Sequence, residues 1–122
     1  MPLEIVAEPA NPTTLTLVGR LDSNTAPELD AVLDRLLKGT PARLVFDLSR
    51  LEYLSSAGIR CFVRARKAIE PRGGKVAIVN PQPSVRKVLD IVKAVPAGGI
   101  FKDIAELDEY LDAIQKQVRD GD

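Results

Sequence analysis

Apolar residues recur along this chain with two different periods, and the change from one to the other marks its elements. From Thr13 to Val18 the order is Thr-Thr-Leu-Thr-Leu-Val. That alternation, with its β-branched content, predicts a half-exposed strand. Leu3 to Ala7 predicts a strand paired with it, with Pro9, Asn11 and Pro12 in the turn between them. Gly19 is expected to break the pattern. Leu29, Val32, Leu33, Leu36 and Leu37 then fall at i, i+3, i+4, i+7 and i+8, one stripe of a helix. The helix start lies over Asp22 to Glu28. Thr25 and Glu28 have capping-box spacing, and Pro27 stands in the first turn, where its missing N–H costs nothing. Lys38-Gly39 supplies a cation and an expected left-handed cap, and Pro41 prevents continuation.

Leu44-Val45-Phe46 is apolar without alternation, so Arg43 to Asp47 is read as a central, buried strand. A compact loop is expected after it. A second helix follows from about Ser56 to Glu70, with Ile59, Phe62, Val63 and Ile69 inward and Arg60, Arg64 and Lys67 on another face. Pro71-Arg72-Gly73-Gly74 forms its turn, and Lys75 to Val79 predicts another buried strand. Asn80-Pro81-Gln82-Pro83-Ser84 initiates a third helix carrying Val85, Val88, Leu89 and Val92. Pro96 to Gly99 is a loop and Ile100-Phe101 a very short strand. Asp103 then caps a last helix with Ile104, Leu107, Leu111, Ile114 and Val118 inward, and the polar tail from Gln115 to Asp122 is expected to fray. Alternating strands and helices predict an α/β layer fold: a mixed sheet of four to five strands with about four helices. One domain is expected over 1–122, its core at about 3–114.

Composition narrows the function. Hydrophobic residues make up 45% of the 122, but with two Tyr, three Phe and no Trp the core must be Leu, Val, Ile and Ala. Acids and bases balance at 17 each, which argues against general nucleic-acid binding. The single cysteine, Cys61, excludes an internal disulfide and suits a reducing compartment; it is read as a small core residue. No basic region precedes an apolar block at the N-terminus, and no run approaches membrane-spanning length. The expectation is a soluble, cytoplasmic chain without membrane or nucleic-acid partners.

The chain has no histidine, so neither a Ser-His-Asp triad, a Cys-His pair nor the usual zinc site can be built. Ser56-Ala57-Gly58 sits on a strand-to-helix turn like a nucleophile elbow, yet Leu54 stands where that elbow needs glycine. A binding protein is expected, not an enzyme, with no cofactor and no metal. Its most informative feature is a hydroxyl at a helix entrance, where N–H groups lack internal partners and the positive end of the peptide dipoles points. An oxygen there caps the helix, and a phosphate there is held by the same donors. Asp22, Asp47, Ser55 and Ser56 all precede or open a helix and are expected to share one rim. Arg60 either lies over that hydroxyl or is a solvated charge. Gly58 permits close approach of another backbone and also suits tight helix–sheet packing, two readings that are compatible. The basic run Arg60, Arg64, Arg66, Lys67, Arg72 and Lys75 and the acidic Asp103, Glu106, Asp108, Glu109 and Asp112 mostly keep helices soluble.

Asp47-Leu48-Ser49 with Tyr53-Leu54-Ser55-Ser56-Ala57-Gly58-Ile59-Arg60 resembles the signature of STAS-domain anti-sigma factor antagonists. Gly19-Arg20-Leu21-Asp22 with Thr25-Ala26, Gly73-Gly74-Lys75 and Asn80-Pro81-Gln82-Pro83-Ser84-Val85 extend the likeness to nearly the whole chain. The resemblance implies phosphorylation at Ser56, with Ser55 the less favoured acceptor standing where the family commonly has aspartate. It places partner contacts at Asp22, Ser23, Asn24, Ser55, Ser56, Ala57, Gly58 and Arg60. It implies two partners: an anti-sigma factor that is itself a serine kinase, and a metal-dependent serine phosphatase that restores the hydroxyl. In this scheme the Ser56 hydroxyl is presented uncovered, and phosphate leaves the fold in place. The alternative is a STAS subunit of a transporter ATPase or signalling scaffold, binding without phosphate cycling.

Overall fold

The structure, a computed structural model, describes residues 3–8, 12–39, 42–94 and 104–120, with the side chains of 93, 94 and 104–106 outside the description. The order is β1 (Leu3–Glu8), β2 (Thr13–Leu21), α1 (Ala26–Lys38), β3 (Arg43–Leu54), α2 (Ser56–Ile69), a 3-10 turn (Glu70–Arg72), β4 (Lys75–Val79), α3 (Pro83–Ala94) and α4 (Ile104–Arg119). The four strands form one sheet in the order β1-β2-β3-β4, β1 antiparallel to β2 and the other pairs parallel. Among the described residues this is the expected mixed sheet with four helices. The expected strand at Ile100-Phe101, the loop before it and the Asp103 cap lie outside the described residues.

The core follows the two periodicities. Leu15 and Leu17 of β2, Leu44, Phe46 and Leu48 of β3, and Leu29 and Leu33 of α1 are fully enclosed. Phe46 meets Phe62 of α2 with ring centroids 4.7 Å apart and planes tilted by 52°. Val45 is only half-buried, so β3 is fully covered on one face alone. β4 buries only Val76; among the described residues it is the edge strand, paired with Arg43–Asp47. Val63, expected inward, is 43% exposed. The buried stripe of α2 instead runs through Ala57, Gly58, Cys61, Phe62, Ala65 and Ile69.

The largest departure is β3, which continues through Leu54 where a loop was expected after Asp47. Its pairing with β2 shows why. Thr16 pairs with Asp47 and Val18 with Arg50; Gly19 pairs with Leu51 and Arg20 with Tyr53. Each irregularity places one extra residue in β3, so the two-residue alternation fails although the strand persists. Gly19, at φ 106, carries β2 past the second irregularity instead of ending it. Gly39 caps α1 in right-handed conformation (φ −82), so no left-handed cap forms there.

Candidate functional site

The extra length of β2 and β3 brings their C-terminal ends level. Leu21 pairs with Leu54, and the Ser55 N–H donates to the Leu21 carbonyl at 2.9 Å. The turn into α1 and the first residue of α2 therefore emerge side by side. In the turn, Asp22 Oδ1 accepts from the Asn24 N–H at 2.9 Å and the Thr25 N–H at 3.1 Å. Thr25 Oγ1 accepts from the Asp22 N–H and donates to the Arg20 carbonyl, both at 2.9 Å. The expected capping box does not form, because the Thr25 hydroxyl is already used within the turn. This bracing leaves Ser23 and Asn24 exposed on the crest.

Asp47 does not belong to this rim. It lies eight residues before Ser55, about 26 Å at an unbroken strand rise and somewhat less across the two irregularities. Its carboxyl is held below the usual carboxylate value mainly by the Ser49 N–H, which donates to Oδ1 at 3.0 Å.

Ser55 is the N-cap of α2 and Ser56 its first residue, yet the Ser55 side chain makes no capping bond. The cap comes from elsewhere: Asp108 Oδ1 on α4, 52 residues along the chain, accepts from the Ser56 N–H at 2.9 Å. A carboxylate there satisfies an otherwise orphaned donor and lies at the positive end of the helix dipole. Ser55 and Ser56 are 5% and 7% exposed, and both hydroxyl oxygens are enclosed with no hydrogen-bond partner. The expectation of an uncovered Ser56 hydroxyl is thus overturned, because α4 lies across the entrance of α2.

Two further contacts fix α4 there. Gln115 Oε1 accepts from the Leu54 N–H at 2.8 Å, and Gln115 Nε2 donates to the Leu54 carbonyl at 2.8 Å. The side-chain amide thus acts as a short extra strand on the edge of β3 that β4 leaves open. Tyr53 is pushed up to about 12 by burial and then by the Asp112 carboxylate beside it. Arg20 stacks on the same ring, its guanidinium carbon 4.0 Å from the centroid, with Nε 3.7 Å from Asp22 Oδ2. Gln115 is fully buried and α4 runs to Arg119, so the expected fraying from Gln115 does not occur there.

Of the expected contact residues, Asp22, Ser23, Asn24, Ser55, Ser56, Ala57 and Gly58 cluster at this end of the sheet. Gly58 packs helix on sheet: a β-carbon there would come within 2.6 Å of Leu21 Cγ and of Leu54 Cδ1. Arg60 is exposed, and Ser56 Oγ has no partner, so it does not engage the hydroxyl. Arg60 instead lines a groove of about 390 Å³ between α1 and α2, with Ser23, Pro27, Asp30, Cys61 and Arg64. Arg64 on α2 bridges the exposed side chains of Asp30 and Asp34 of α1. Sequence reasoning missed Asp108 and Gln115. One signal was present: Gln115 lies four residues after Leu111 and eight after Leu107, a polar residue on the apolar stripe of its helix.

The STAS domain family model matches residues 5–107, from β1 into the first turn of α4. A protein of Bordetella bronchiseptica (strain ATCC BAA-588 / NCTC 13252 / RB50), provisionally named as the anti-sigma factor antagonist BtrV, is 35% identical over 75 residues. That stretch covers 62% of this chain and 65% of the relative, so the match spans less than two thirds of the relative's length. Among solved structures, an anti-sigma factor antagonist from Mycobacterium paratuberculosis superposes with a TM-score of 0.68 at 23% identity, covering 93% of this chain and 94% of the other. The Bacillus cell fate determinant SpoIIAA in its phosphorylated form gives 0.58 at 22% identity, covering 73% and 83%. These two share the fold. With the strand order, the helix count and a family match across most of its length, the chain belongs to the STAS domain family.

Proposed function

We propose that this protein is an anti-sigma factor antagonist. It binds an anti-sigma factor serine kinase through the Asp22–Asn24 turn and the α1–α2 groove, releases the sigma factor, and is switched off by phosphorylation of Ser56. The observation that carries the reading is the junction of Leu21 and Leu54, which sets the exposed Ser23 and Asn24 beside the first residue of α2. The antagonist relatives, and a fold neighbour solved in a phosphorylated form, support it. A phosphate adds about −1.5 to −2 charges, and a change of about 1.4 kcal/mol is tenfold in affinity. One group at the edge of such a surface is therefore enough to decide binding.

The test uses the purified chain as bait in an extract of its native cells, followed by ATP and intact-mass measurement. The reading predicts capture of an anti-sigma factor with kinase activity and a gain of one phosphate, lost in Ser56→Ala. Retention of the label in Ser56→Ala moves the acceptor to Ser55. The enclosure of both hydroxyls favours a second reading, a STAS binding subunit of a transporter ATPase or signalling scaffold that works without phosphate. A captured partner with no mass gain selects it.

A further inference from the structure

We infer that α4 is a detachable cover over Ser56: Asp108 occupies the anion position at the entrance of α2, and a negative group on residue 56 expels it. The second half rests on the proposed phosphoacceptor role of Ser56; the first half stands on geometry alone.

The Ser56 hydroxyl has neither solvent contact nor a hydrogen-bond partner, so no donor of a phosphoryl group reaches it while α4 is in place. In that transfer Ser56 Oγ bonds to the terminal phosphorus of ATP. The bond from that phosphorus to the bridging oxygen breaks, ADP leaves, and the hydroxyl proton passes to a base of the kinase. Each of these atoms must come within bonding distance of an enclosed oxygen, and Asp108 is bonded to the N–H of the same residue. Opening must come first.

The hold of α4 suits opening. Among its described side chains only Leu111 and Gln115 are fully enclosed, while Leu107, Ile114 and Val118 are half-buried. The rest of its attachment at this end is polar: Asp108 to the Ser56 N–H, Gln115 to Leu54, and Asp112 beside Tyr53. Elements with few buried apolar contacts open before the core does. A phosphate on Ser56 would claim first-turn N–H groups, the Ser56 N–H that Asp108 uses among them, and it would repel the Asp108 carboxylate at close range. Ser55 makes no side-chain capping bond, and the carboxylate at the helix entrance is supplied from α4 instead. A cover held by a charge is a cover that a second charge removes.

Two measurements test it. In the first, Ser56→Cys is labelled with iodoacetamide beside native Cys61, which is enclosed and reports opening of the core. The thiol at position 56 is expected to react far more slowly than one introduced by Ser23→Cys on the exposed crest. Adding Gln115→Ala is expected to speed it by roughly tenfold or more, with Cys61 still protected. Equal rates at positions 56 and 23, no response to Gln115→Ala, or Cys61 opening in parallel each overturn the cover. In the second, amide hydrogen exchange compares Ser56→Glu with its neutral isostere Ser56→Gln. Faster exchange along 107–119 in the Glu variant alone supports expulsion by charge, and equal exchange refutes it. Neither measurement needs a kinase. If both succeed while the wild-type chain never gains phosphate, the phosphorylation reading fails and the cover remains.

Discussion

A β-carbon added to Gly58 would lie 2.6 Å from both Leu21 Cγ and Leu54 Cδ1 and 2.7 Å from Leu21 Cδ2. All three belong to residues that are fully enclosed, so they cannot swing aside into solvent. Gly58→Ala is therefore expected to cost about 1–3 kcal/mol, the range for overpacking a filled core, read as a lower urea midpoint. An unchanged midpoint would mean that α2 sits less tightly on the strand ends. The serines predict the opposite sign. An enclosed hydroxyl without a partner is a net cost, so Ser55→Ala is expected to leave stability unchanged or raise it by up to about 1 kcal/mol. A clear loss on that substitution would show that the hydroxyl has a partner after all. At this scale the sequence was informative about local chemistry: Ser56 does open a helix, and Gly58 does pack tightly between helix and sheet. It was silent about Asp108, since nothing local to Ser56 announces a carboxylate 52 residues away.

Elements were legible where one period ran undisturbed. The stripe of α1 and the alternation of β2 up to Val18 needed no tertiary information. β3 was cut short because two irregularities in its pairing each shift the inward positions by one, leaving Leu48, Leu51, Tyr53 and Leu54 out of step. The partner strand, not the local order of residues, makes that stretch extended. α4 was assigned its apolar face correctly at Leu111 but was expected to fray from Gln115, which is fully buried and bonded to Leu54. Gln115→Leu tests that hold directly. It adds apolar surface, yet it leaves the Leu54 N–H and carbonyl without their partner on that edge. It is expected to destabilise by about 1–3 kcal/mol, the cost of stranding buried polar groups. A gain in stability would show that the amide is dispensable. The Arg64 pairs between α1 and α2 are exposed, and Arg64→Ala is expected to change stability by less than about 1 kcal/mol in the same assay.

At the scale of the molecule, two buried groups give a titration signature on the alkaline side. Burial first, and then the Asp30 carboxylate, push the Cys61 thiol from 9.0 up to about 12. Burial and then Asp112 push the Tyr53 hydroxyl from 10.0 to about 12. Both pKa values are higher in the folded chain, so between pH 9 and 12 it keeps protons that the unfolded chain has released. Stability from these groups is complete below pH 9 and falls as the pH rises towards 12. Urea midpoints measured across that window should decline, and less steeply in Tyr53→Phe; a flat profile would contradict the burial of both groups. No helix among the described residues is long and apolar enough to cross a membrane. The family assignment was legible because its motifs lie on strand ends and turns that one sequence shows directly. The covering of Ser56 was not, since it depends on how α4 docks.

The most direct measurement of the functional account is phosphosite mapping of the chain isolated from its own cells, by mass spectrometry of the peptide holding Ser55 and Ser56. The account predicts a fraction of molecules carrying one phosphate, on Ser56, and none in cells that express Ser56→Ala. A chain that is never phosphorylated under any growth condition, while still bound to its partner, would contradict it.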